Sequence, residues 1–368
     1  MKARKLKKFL KIVRTGNWSY FTNRLFGKPY LIQFVPNISC NLNCVMCHQK
    51  DIRLCANEHE TLNFKEIRNM FKNLKKLGVN QINLVGGEIF LRPDIWDILD
   101  ELERQSFLFS ITTNGTLLKE EDVNRFSYYW GLVEVDVSLD AADALTHDKI
   151  RGVSGAFDKT VEVLSWLKEH NITVMVDTVA QSSNYCKLKE LYELLKKLKI
   201  DSWVILPEYN ITKFTYDKTN EYFEARVKHK IDLLPSYSIA ESNSAMSYDV
   251  IDFKEKMSEL RSFVSKDGPD VVFAFDIDFF EFKYFRRQRD KFVLTCTDFL
   301  GQIDWKGNLN LCPFIRVNDL QRAHGLVEKD FLEQPELLRM REGILASNLI
   351  DTRFCETCCG CKIVNKNE

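Results

Sequence analysis

The stretch of sequence that decides the fold is residues 30–47, which read YLIQFVPNISCNLNCVMC. Its first six residues, Tyr30–Val35, form a short apolar run of the kind that builds a β-strand. Cys40, Cys44 and Cys47 then follow within one short loop. Thiols clustered in this way indicate metal or iron–sulfur ligation. The motif therefore predicts such a site directly after the first strand.

The spacing of these cysteines favours an iron–sulfur cluster over zinc, although thiolates suit both. Three protein ligands on a four-iron cluster leave one iron open, whereas a structural zinc site closes with a fourth ligand. His48 could supply that fourth ligand, so zinc remains the alternative. The usual zinc pattern has paired C-x-x-C arms, but here three residues separate Cys40 from Cys44.

The composition fits a soluble protein with one large domain and a smaller one. The chain has 368 residues, of which 45% are hydrophobic, and 52 Lys and Arg balance 52 Asp and Glu. This neutrality argues against general nucleic-acid binding, which needs a basic surplus. No apolar run approaches the roughly 20 residues of a spanning helix, and the N-terminus lacks a signal peptide's apolar segment. We therefore expect a cytoplasmic protein.

From residue 30 to about 206 the chain alternates predicted strands and helices. The predicted strands are Tyr30–Val35, Gln81–Val85, Phe107–Thr112, Leu132–Ser138, Thr173–Ala180 and Trp203–Leu206. The predicted helices between them are Phe64–Leu77, Ile95–Arg104, Glu120–Tyr128, Asp158–His170 and Leu188–Leu198. This alternation predicts a parallel α/β sheet with its functional residues in the loops after the strands. The periodicity leaves open whether the sheet curls into a partial barrel.

Polar motifs follow the next three predicted strands. Gly86-Gly87-Glu88 comes directly after the second, where glycines allow a ligand to approach the backbone and a carboxylate suits an ammonium group. Asn114 follows the third strand, Ser138 ends the fourth, and Arg151 lies beyond it. Hydroxyl and amide groups suit a ribose, and an arginine suits a carboxylate. Taken singly, each residue is explained equally well as part of a turn or a helix cap.

The combination of Cys40-x3-Cys44-x2-Cys47 with Gly86-Gly87-Glu88 one strand later resembles the radical S-adenosylmethionine (SAM) superfamily. The resemblance covers about residues 30–206 and implies a partial (β/α)6 TIM-like barrel. It implies that the three cysteines hold a 4Fe–4S cluster whose open iron binds SAM. Reductive cleavage of SAM in that family produces a 5′-deoxyadenosyl radical, which abstracts a hydrogen atom from a substrate. A flavodoxin- or ferredoxin-type protein is the implied electron donor.

The same resemblance assigns the residues that contact SAM. The turn Gly86, Gly87 and Glu88 corresponds to the site of the methionine amino group, Asn114 or Ser138 to that of the ribose or carboxylate, and Arg151 to that of the carboxylate. Met46 stands where the family usually has an aromatic residue, and Ile89 where it usually has proline. Neither difference removes a cluster ligand.

The C-terminal cysteines indicate a resemblance to one subgroup of this superfamily. The segment Cys296-x10-Gly307-x4-Cys312 is similar to the opening of the SPASM/Twitch extensions of this superfamily. The shorter Twitch form, which holds a second, auxiliary 4Fe–4S cluster, fits the six cysteines after residue 293. The ligands that the resemblance implies are Cys296, Cys312, Cys355 and Cys358, with Cys361 able to replace either of the last two. A zinc knuckle is the alternative.

These assignments divide the chain into four segments. A basic amphipathic helix occupies residues 1–29, and the partial barrel occupies 30–206. A mixed helical region, which connects the domains and contacts substrate, occupies 207–292, and the Twitch-like extension occupies 293–368. We interpret the first segment as a helix that caps the barrel, with weak contact to a membrane or an acidic substrate as the alternative.

The predicted function is oxidation, or another radical modification, of a small molecule, sugar or peptide. Glu208 and Tyr209, just after the sixth strand, are the candidate contacts to that unidentified substrate. The alternative from another functional class is a non-catalytic iron–sulfur or zinc protein that transfers electrons or binds a partner. Such a protein has no use for Gly86–Glu88 and Arg151 at the strand ends.

Overall fold

Six parallel strands form the centre of the protein, as the sequence predicts. In the computed structural model they are β1 (Leu31–Phe34), β2 (Gln81–Leu84), β3 (Leu108–Thr113), β4 (Leu132–Ser138), β5 (Val174–Ala180) and β6 (Ser202–Pro207). They lie in the order β6-β5-β4-β3-β2-β1, and every neighbouring pair runs parallel. The loops that follow these strands therefore meet at one edge of the sheet.

The structure describes residues 31–47, 49, 61–76, 78–208, 211–212, 231–233, 239–240, 248–273, 292–295, 302–307, 309–310, 315–317 and 362–365. The predicted N-terminal helix lies outside these ranges. So do Tyr209, His48 and all the cysteines predicted to bind the auxiliary cluster.

Seven helices in the described ranges connect or flank the strands. They are α1 (Phe64–Lys76), α2 (Ile95–Arg104), α3 (Glu120–Phe126), α4 (Ala144–Arg151), α5 (Ala156–Glu169), α6 (Leu188–Lys197) and α7 (Val250–Phe263). Short 3₁₀ turns at Ile89–Leu91 and Tyr185–Lys187 follow β2 and β5. None of these helices combines the length and the apolar character needed to cross a membrane.

Helix α4 is not among the elements predicted from the sequence. It begins after Asp143, whose side chain accepts the Thr146 N–H at 2.8 Å and thereby caps the helix. It ends at Gly152, which has a φ of 72° and terminates the helix in the left-handed region. The consequence is that Arg151 lies in the last turn of a helix.

Within the described residues, nine shorter strands follow β6. They are β7 (Ile211–Thr212), β8 (Ile231–Leu233), β9 (Ile239–Ala240), β10 (Asp270–Phe273), β11 (Phe292–Thr295), β12 (Gln302–Ile303), β13 (Leu309–Asn310), β14 (Ile315–Val317) and β15 (Lys362–Asn365). β10 adds in parallel to β6, β12 adds in parallel to β1, and β13 adds antiparallel to β12. The remaining six form three two-stranded ladders, β7–β9, β8–β14 and β11–β15.

The central sheet therefore contains nine strands rather than the six predicted. Within the described residues β10 and β13 are its two edges, so the sheet is open. An open, mainly parallel sheet with crossover helices agrees with the predicted partial barrel. Strands from both later segments of the chain, 207–292 and 293–368, thus pair with the edges of the predicted barrel.

The hydrophobic core lies between the sheet and its helices. Ile32 and Phe34 on β1, Ile82 on β2 and Phe71 on α1 are all fully buried in it. Each such side chain contributes about 1.5–3 kcal/mol to stability when removed from water. Because side chains alternate along a strand, the residues between them face the other side of the sheet. That side is more polar, and there the Ser110 hydroxyl donates to Asn83 Oδ1 at 3.0 Å.

Candidate functional site

The loop that carries Cys40, Cys44 and Cys47 follows β1 and is held by hydrogen bonds to two other segments. Ser39 O accepts the N–H of Glu88 at 2.7 Å, which joins the start of the loop to the turn after β2. The N–H groups of Asn43 and Val45 donate to the last carbonyls of α4 at 3.0 and 2.9 Å. The loop is therefore fixed between the turn after β2 and the end of α4.

Cys40, Cys44 and Cys47 are thiols rather than disulfide-bonded cysteines, and they lie in one small cluster with apolar neighbours. Leu42 and Ala156 are buried in that cluster, and Met46 packs against it from within the loop. Cys44 is the most buried of the three, and this burial raises the pKa of its thiol, while the nearby Arg151 cation opposes the rise. Three sulfur donors in one loop, partly shielded from water and next to a cation, fit a thiolate-bound iron–sulfur cluster.

Gly86 and Gly87 allow the turn after β2 to lie directly on the cysteine loop. A Cβ atom at Gly87 would lie 2.1 Å from Ser39 O, and one at Gly86 would lie 2.5 Å from Asn37 O. Gly86 also has a φ of 148°, a conformation that side chains disfavour. The structure thus brings this predicted turn against residues 37–39, which lead into the predicted cysteines, and a side chain at either glycine would clash there.

The Glu88 carboxylate is completely buried and faces the end of β3. It accepts hydrogen bonds from the Thr113 hydroxyl and the Asn114 N–H, both at 2.8 Å, and from the Phe90 N–H at 3.3 Å. Burial raises its pKa to about 6, against the lowering effect of these bonds. The side chain therefore joins the ends of β2 and β3, while the backbone of the same turn lies at the cysteine loop.

Asn114 lies beside the first cysteine. Its Nδ2 donates to Asn41 Oδ1 at 3.0 Å and lies 3.9 Å from Cys40 Sγ. Its Oδ1 accepts from the Thr116 N–H at 2.9 Å. The side chain predicted to lie near SAM thus connects the end of β3 to the cysteine loop.

Arg151 joins Asp140 to Cys44. Its Nε lies 2.8 Å from Asp140 Oδ2, which makes an ion pair outside hydrogen-bond geometry. Its Nη1 donates to Cys44 Sγ at 3.7 Å. The Asp140 carboxylate is fully buried and the arginine side chain is only 9% exposed. Arg151, predicted to contact a carboxylate of SAM, thus already has a carboxylate partner within the chain.

His147 supports this pair from the middle of α4. Its Nδ1 accepts the Asp140 N–H at 3.2 Å, so the neutral ring carries its proton on Nε2. Burial, together with the Arg151 charge, lowers the pKa of His147 to about 3. The ring is therefore a neutral structural group at the end of β4.

The remaining predicted site residues lie around the same edge of the sheet. Ser138 ends β4, is half-buried, and is level with Asp177 on β5. Glu208 follows β6, and its N–H donates to Ala180 O at 2.8 Å. Tyr209 and Cys296, Cys312, Cys355, Cys358 and Cys361 lie outside the described residues, so their assignments stay predictions.

Sequence reasoning missed two asparagines that organise these loops. The Asn37 amide donates to Glu88 O at 3.0 Å. The Asn184 amide donates to Asp140 O and to Val179 O, both at 2.9 Å. The signal was present, because each asparagine comes a few residues after a strand end, where buried backbone groups need partners. The sequence does not indicate which backbone groups each asparagine binds.

Comparison with known proteins identifies the family that this chain resembles in sequence. A family model described as the Radical SAM superfamily matches residues 35–195. This range starts at the end of β1 and ends within α6. It contains the cysteine loop, the Gly86–Glu88 turn and the Asp140–Arg151 pair.

Two curated relatives are each 31% identical to this chain. An AdoMet-dependent heme synthase of Methanosarcina barkeri aligns over 171 residues, 46% of this chain and 48% of the relative. A "Probable GTP 3',8-cyclase" of Methanococcus aeolicus aligns over 214 residues, 52% of this chain and 70% of the relative. The chain spans about half of the length of the heme synthase, and 38% and 47% of the length of two further curated relatives.

Among solved structures, Streptococcus suis SuiB bound to the precursor peptide SuiA has a TM-score of 0.60. The similarity covers 86% of this chain and 67% of SuiB, at 15% sequence identity. At this identity the match concerns the fold, and it agrees with the predicted partial barrel.

Proposed function

The chain belongs to the radical SAM superfamily, and we propose that it holds a 4Fe–4S cluster through Cys40, Cys44 and Cys47 and cleaves SAM reductively. The observation that supports this is the contact of the cysteine loop with the Gly86–Glu88 turn on one side and Arg151 on the other. An electron-transfer protein needs thiolates alone. The glycine turn and the buried cation beside them are features that a bound amino acid would use.

When bound, the cluster and SAM would supply the radical chemistry that removes a hydrogen atom from the substrate. The chain's own residues would bind SAM and the substrate and orient them. In this proposal the Gly86–Glu88 turn would bind an amino group, and Ser138 and Asn114 would offer polar atoms to a ribose or carboxylate. Met46 and Ala156 pack beside the cysteines and partly shield the thiols from water.

Arg151 has two roles in this proposal. Its position beside Cys44 brings it next to any ligand of the open iron, where a guanidinium would meet the SAM carboxylate. Its pairing with Asp140 keeps the buried cation compensated before SAM arrives. Substrate would then approach from the strand ends, with Glu208 and Tyr209 as candidate contacts.

We infer a second 4Fe–4S cluster in a Twitch-like extension, held by Cys296, Cys312, Cys355 and Cys358, with Cys361 as the substitute for either of the last two. A flavodoxin- or ferredoxin-type donor would provide the electron. The net reaction would be an oxidation or another modification of a small molecule, sugar or peptide. The relatives span heme synthesis, GTP cyclisation and a precursor-peptide complex, so they support the chemistry without narrowing the substrate.

Anaerobic reconstitution followed by an iron count and a product assay tests this proposal. We expect about eight iron atoms per chain, from two four-iron clusters. With SAM and dithionite, the protein should release methionine and 5′-deoxyadenosine, which chromatography detects. If clusters form and neither product appears, the chain is not a radical SAM enzyme in the sense proposed.

Two cysteine variants separate the proposed clusters. Cys44→Ala removes a ligand of the SAM-binding cluster and should abolish methionine release. Cys312→Ala should lower the iron count to about four and spare at least part of the SAM cleavage. Equal loss of cleavage in both variants would contradict the assignment of separate roles.

A further inference from the structure

Arg151 lies where its charge acts directly on one of the three proposed ligand sulfurs. The guanidinium donates to Cys44 Sγ at 3.7 Å and is paired with Asp140 at 2.8 Å. Both partners are buried, so water screens the charges weakly. A cation held this close to a ligand sulfur influences the electronic properties of whatever metal group that sulfur binds.

The chain holds this arrangement rigidly. Asp140 Oδ1 accepts the Val179 N–H at 3.0 Å, and the Asp140 backbone is bound on both sides by His147 and Asn184. The backbone carbonyl of Arg151 accepts the Asn43 N–H at 3.0 Å, inside the cysteine loop. The arginine is therefore attached to the loop through its backbone and to Cys44 through its side chain.

We propose that Arg151, held by Asp140, is a positioning residue that sets the reduction potential of the cluster bound through Cys44. This inference rests on the proposed function, because it needs the cluster. Reduction adds one electron to the cluster from an external donor; it breaks no bond and moves no proton. The reduced cluster would carry one more negative charge, which the arginine cation and its N–H···S contact would stabilise. Arg151 thus raises the potential, and Asp140 offsets part of the rise.

The test is a measurement of the midpoint potential of this cluster in the reconstituted 368-residue chain without SAM. Anaerobic titration with dithionite, followed by electron paramagnetic resonance, measures it. For Arg151→Gln we expect the reduction equilibrium to become about tenfold less favourable, which is about 59 mV for one electron. For Asp140→Asn we expect a shift of opposite sign, because the amide removes the negative charge and leaves the cation.

Two controls isolate the charge beside Cys44. Lys149 is an exposed residue on the same helix, so Lys149→Gln removes the same unit of charge in solvent and should leave the potential unchanged. The triple variant Cys40→Ala, Cys44→Ala, Cys47→Ala retains only the signal of any auxiliary cluster, which is subtracted from each spectrum.

Shifts of opposite sign in the two variants support the inference, since a loosened loop would move both potentials in the same direction. An unchanged potential in Arg151→Gln overturns it, even if SAM then binds more weakly. If Arg151→Gln fails to take up iron, Asp140→Asn decides. A positive shift of the potential in Asp140→Asn supports the inference, and an unchanged potential in that variant overturns it. A wild-type chain that holds no cluster on Cys40, Cys44 and Cys47 would instead contradict the proposed function.

Discussion

Glu88 and His147 are buried titratable residues whose neutral forms are favoured by the loops around the cysteines. Burial raises the pKa of Glu88 to about 6 and lowers that of His147 to about 3. His147 must remain neutral, because its Nδ1 accepts the Asp140 N–H. Protonation would replace that acceptor with a donor and add a second cation beside Arg151.

His147→Asn should therefore make the protein's stability less sensitive to acid. The pKa of a free histidine is 6.5, so between pH 6.5 and about 3 the unfolded chain binds a proton that the folded chain does not. The contribution of His147 to the unfolding free energy falls as the pH drops through this window, by at most about 1.4 kcal/mol per pH unit. Urea unfolding at pH 7.5, 6.5 and 5.5 measures this slope.

The control is His170→Asn, since His170 lies half-buried just past the end of α5. Urea unfolding of this variant at the same three pH values measures the effect of replacing a histidine that is not bound to Asp140. Identical slopes in His147→Asn and the wild-type chain would contradict a neutral His147.

At the scale of elements, α4 is the support of the cysteine loop. Two of its last backbone carbonyls accept hydrogen bonds from the loop, and Gly152 lies against Asn43 O, 2.4 Å from where a Cβ would be. A helix end is a precise attachment point, because its last carbonyls have no partners within the helix. The position of α4 therefore determines the position of Cys44.

Gly152→Ala should displace the cysteine loop, whereas Gly155→Ala should not. Both glycines have positive φ, 72° and 81°, so alanine costs about 1–2 kcal/mol at either position. Only at Gly152 does the added methyl also meet the loop, while at Gly155 nothing lies within 4 Å. Iron content after reconstitution should fall strongly in the first variant and stay near wild type in the second. Equal iron contents would show that the loop does not depend on the end of α4.

The elements that sequence patterns predict are those with enough length to show a period. β4 and α2 have the predicted bounds, because seven and ten residues suffice for alternation or for an amphipathic face. α4 has eight residues and a polar composition, so its start and end depend on Asp143 and Gly152 rather than on a periodic face. β12 has two residues, which are too few to show an alternating pattern. Nothing in the local sequence therefore predicts that it pairs with β1.

The candidate site likewise contains residues that the sequence predicts and contacts that it does not predict. The cysteines and the Gly86–Glu88 turn are recognisable because the proposed chemistry requires specific residues at fixed spacing. The pairing of Arg151 with Asp140 instead depends on the ends of two elements meeting in space. Neither side chain indicates its partner in the sequence.

At the scale of the whole molecule, a late segment completes the sheet beside the cysteine loop. The Val35 N–H donates to Ile303 O at 2.8 Å, and Trp305 O accepts the Leu62 N–H at 2.9 Å. Trp305 is buried against Val35 and Ile38, the residues that lead into the loop. Residues 302–307 therefore support the first strand and the loop that follows it.

Trp305→Ala should destabilise the protein by about 3–5 kcal/mol, the usual cost of deleting a buried tryptophan. Because its neighbours lead into the cysteine loop, the variant should also retain less iron. Trp130 is 47% exposed, so Trp130→Ala is the matched control and should cost about 1 kcal/mol or less. Chemical denaturation and an iron assay on both variants measure these effects. A small loss of stability in Trp305→Ala would mean that the late segment does not support the first strand.

The pairing of β1 with β12 also has a consequence for the order of events during synthesis. Gln33 and Gln302 touch across this pair although 269 residues separate them in the chain. At roughly 5–20 residues per second, the ribosome needs about 15–50 s to make the second strand after the first. Throughout that delay the nascent chain carries three thiols next to an unfinished sheet edge. We therefore expect the cell to insert iron and sulfide after translation rather than during it.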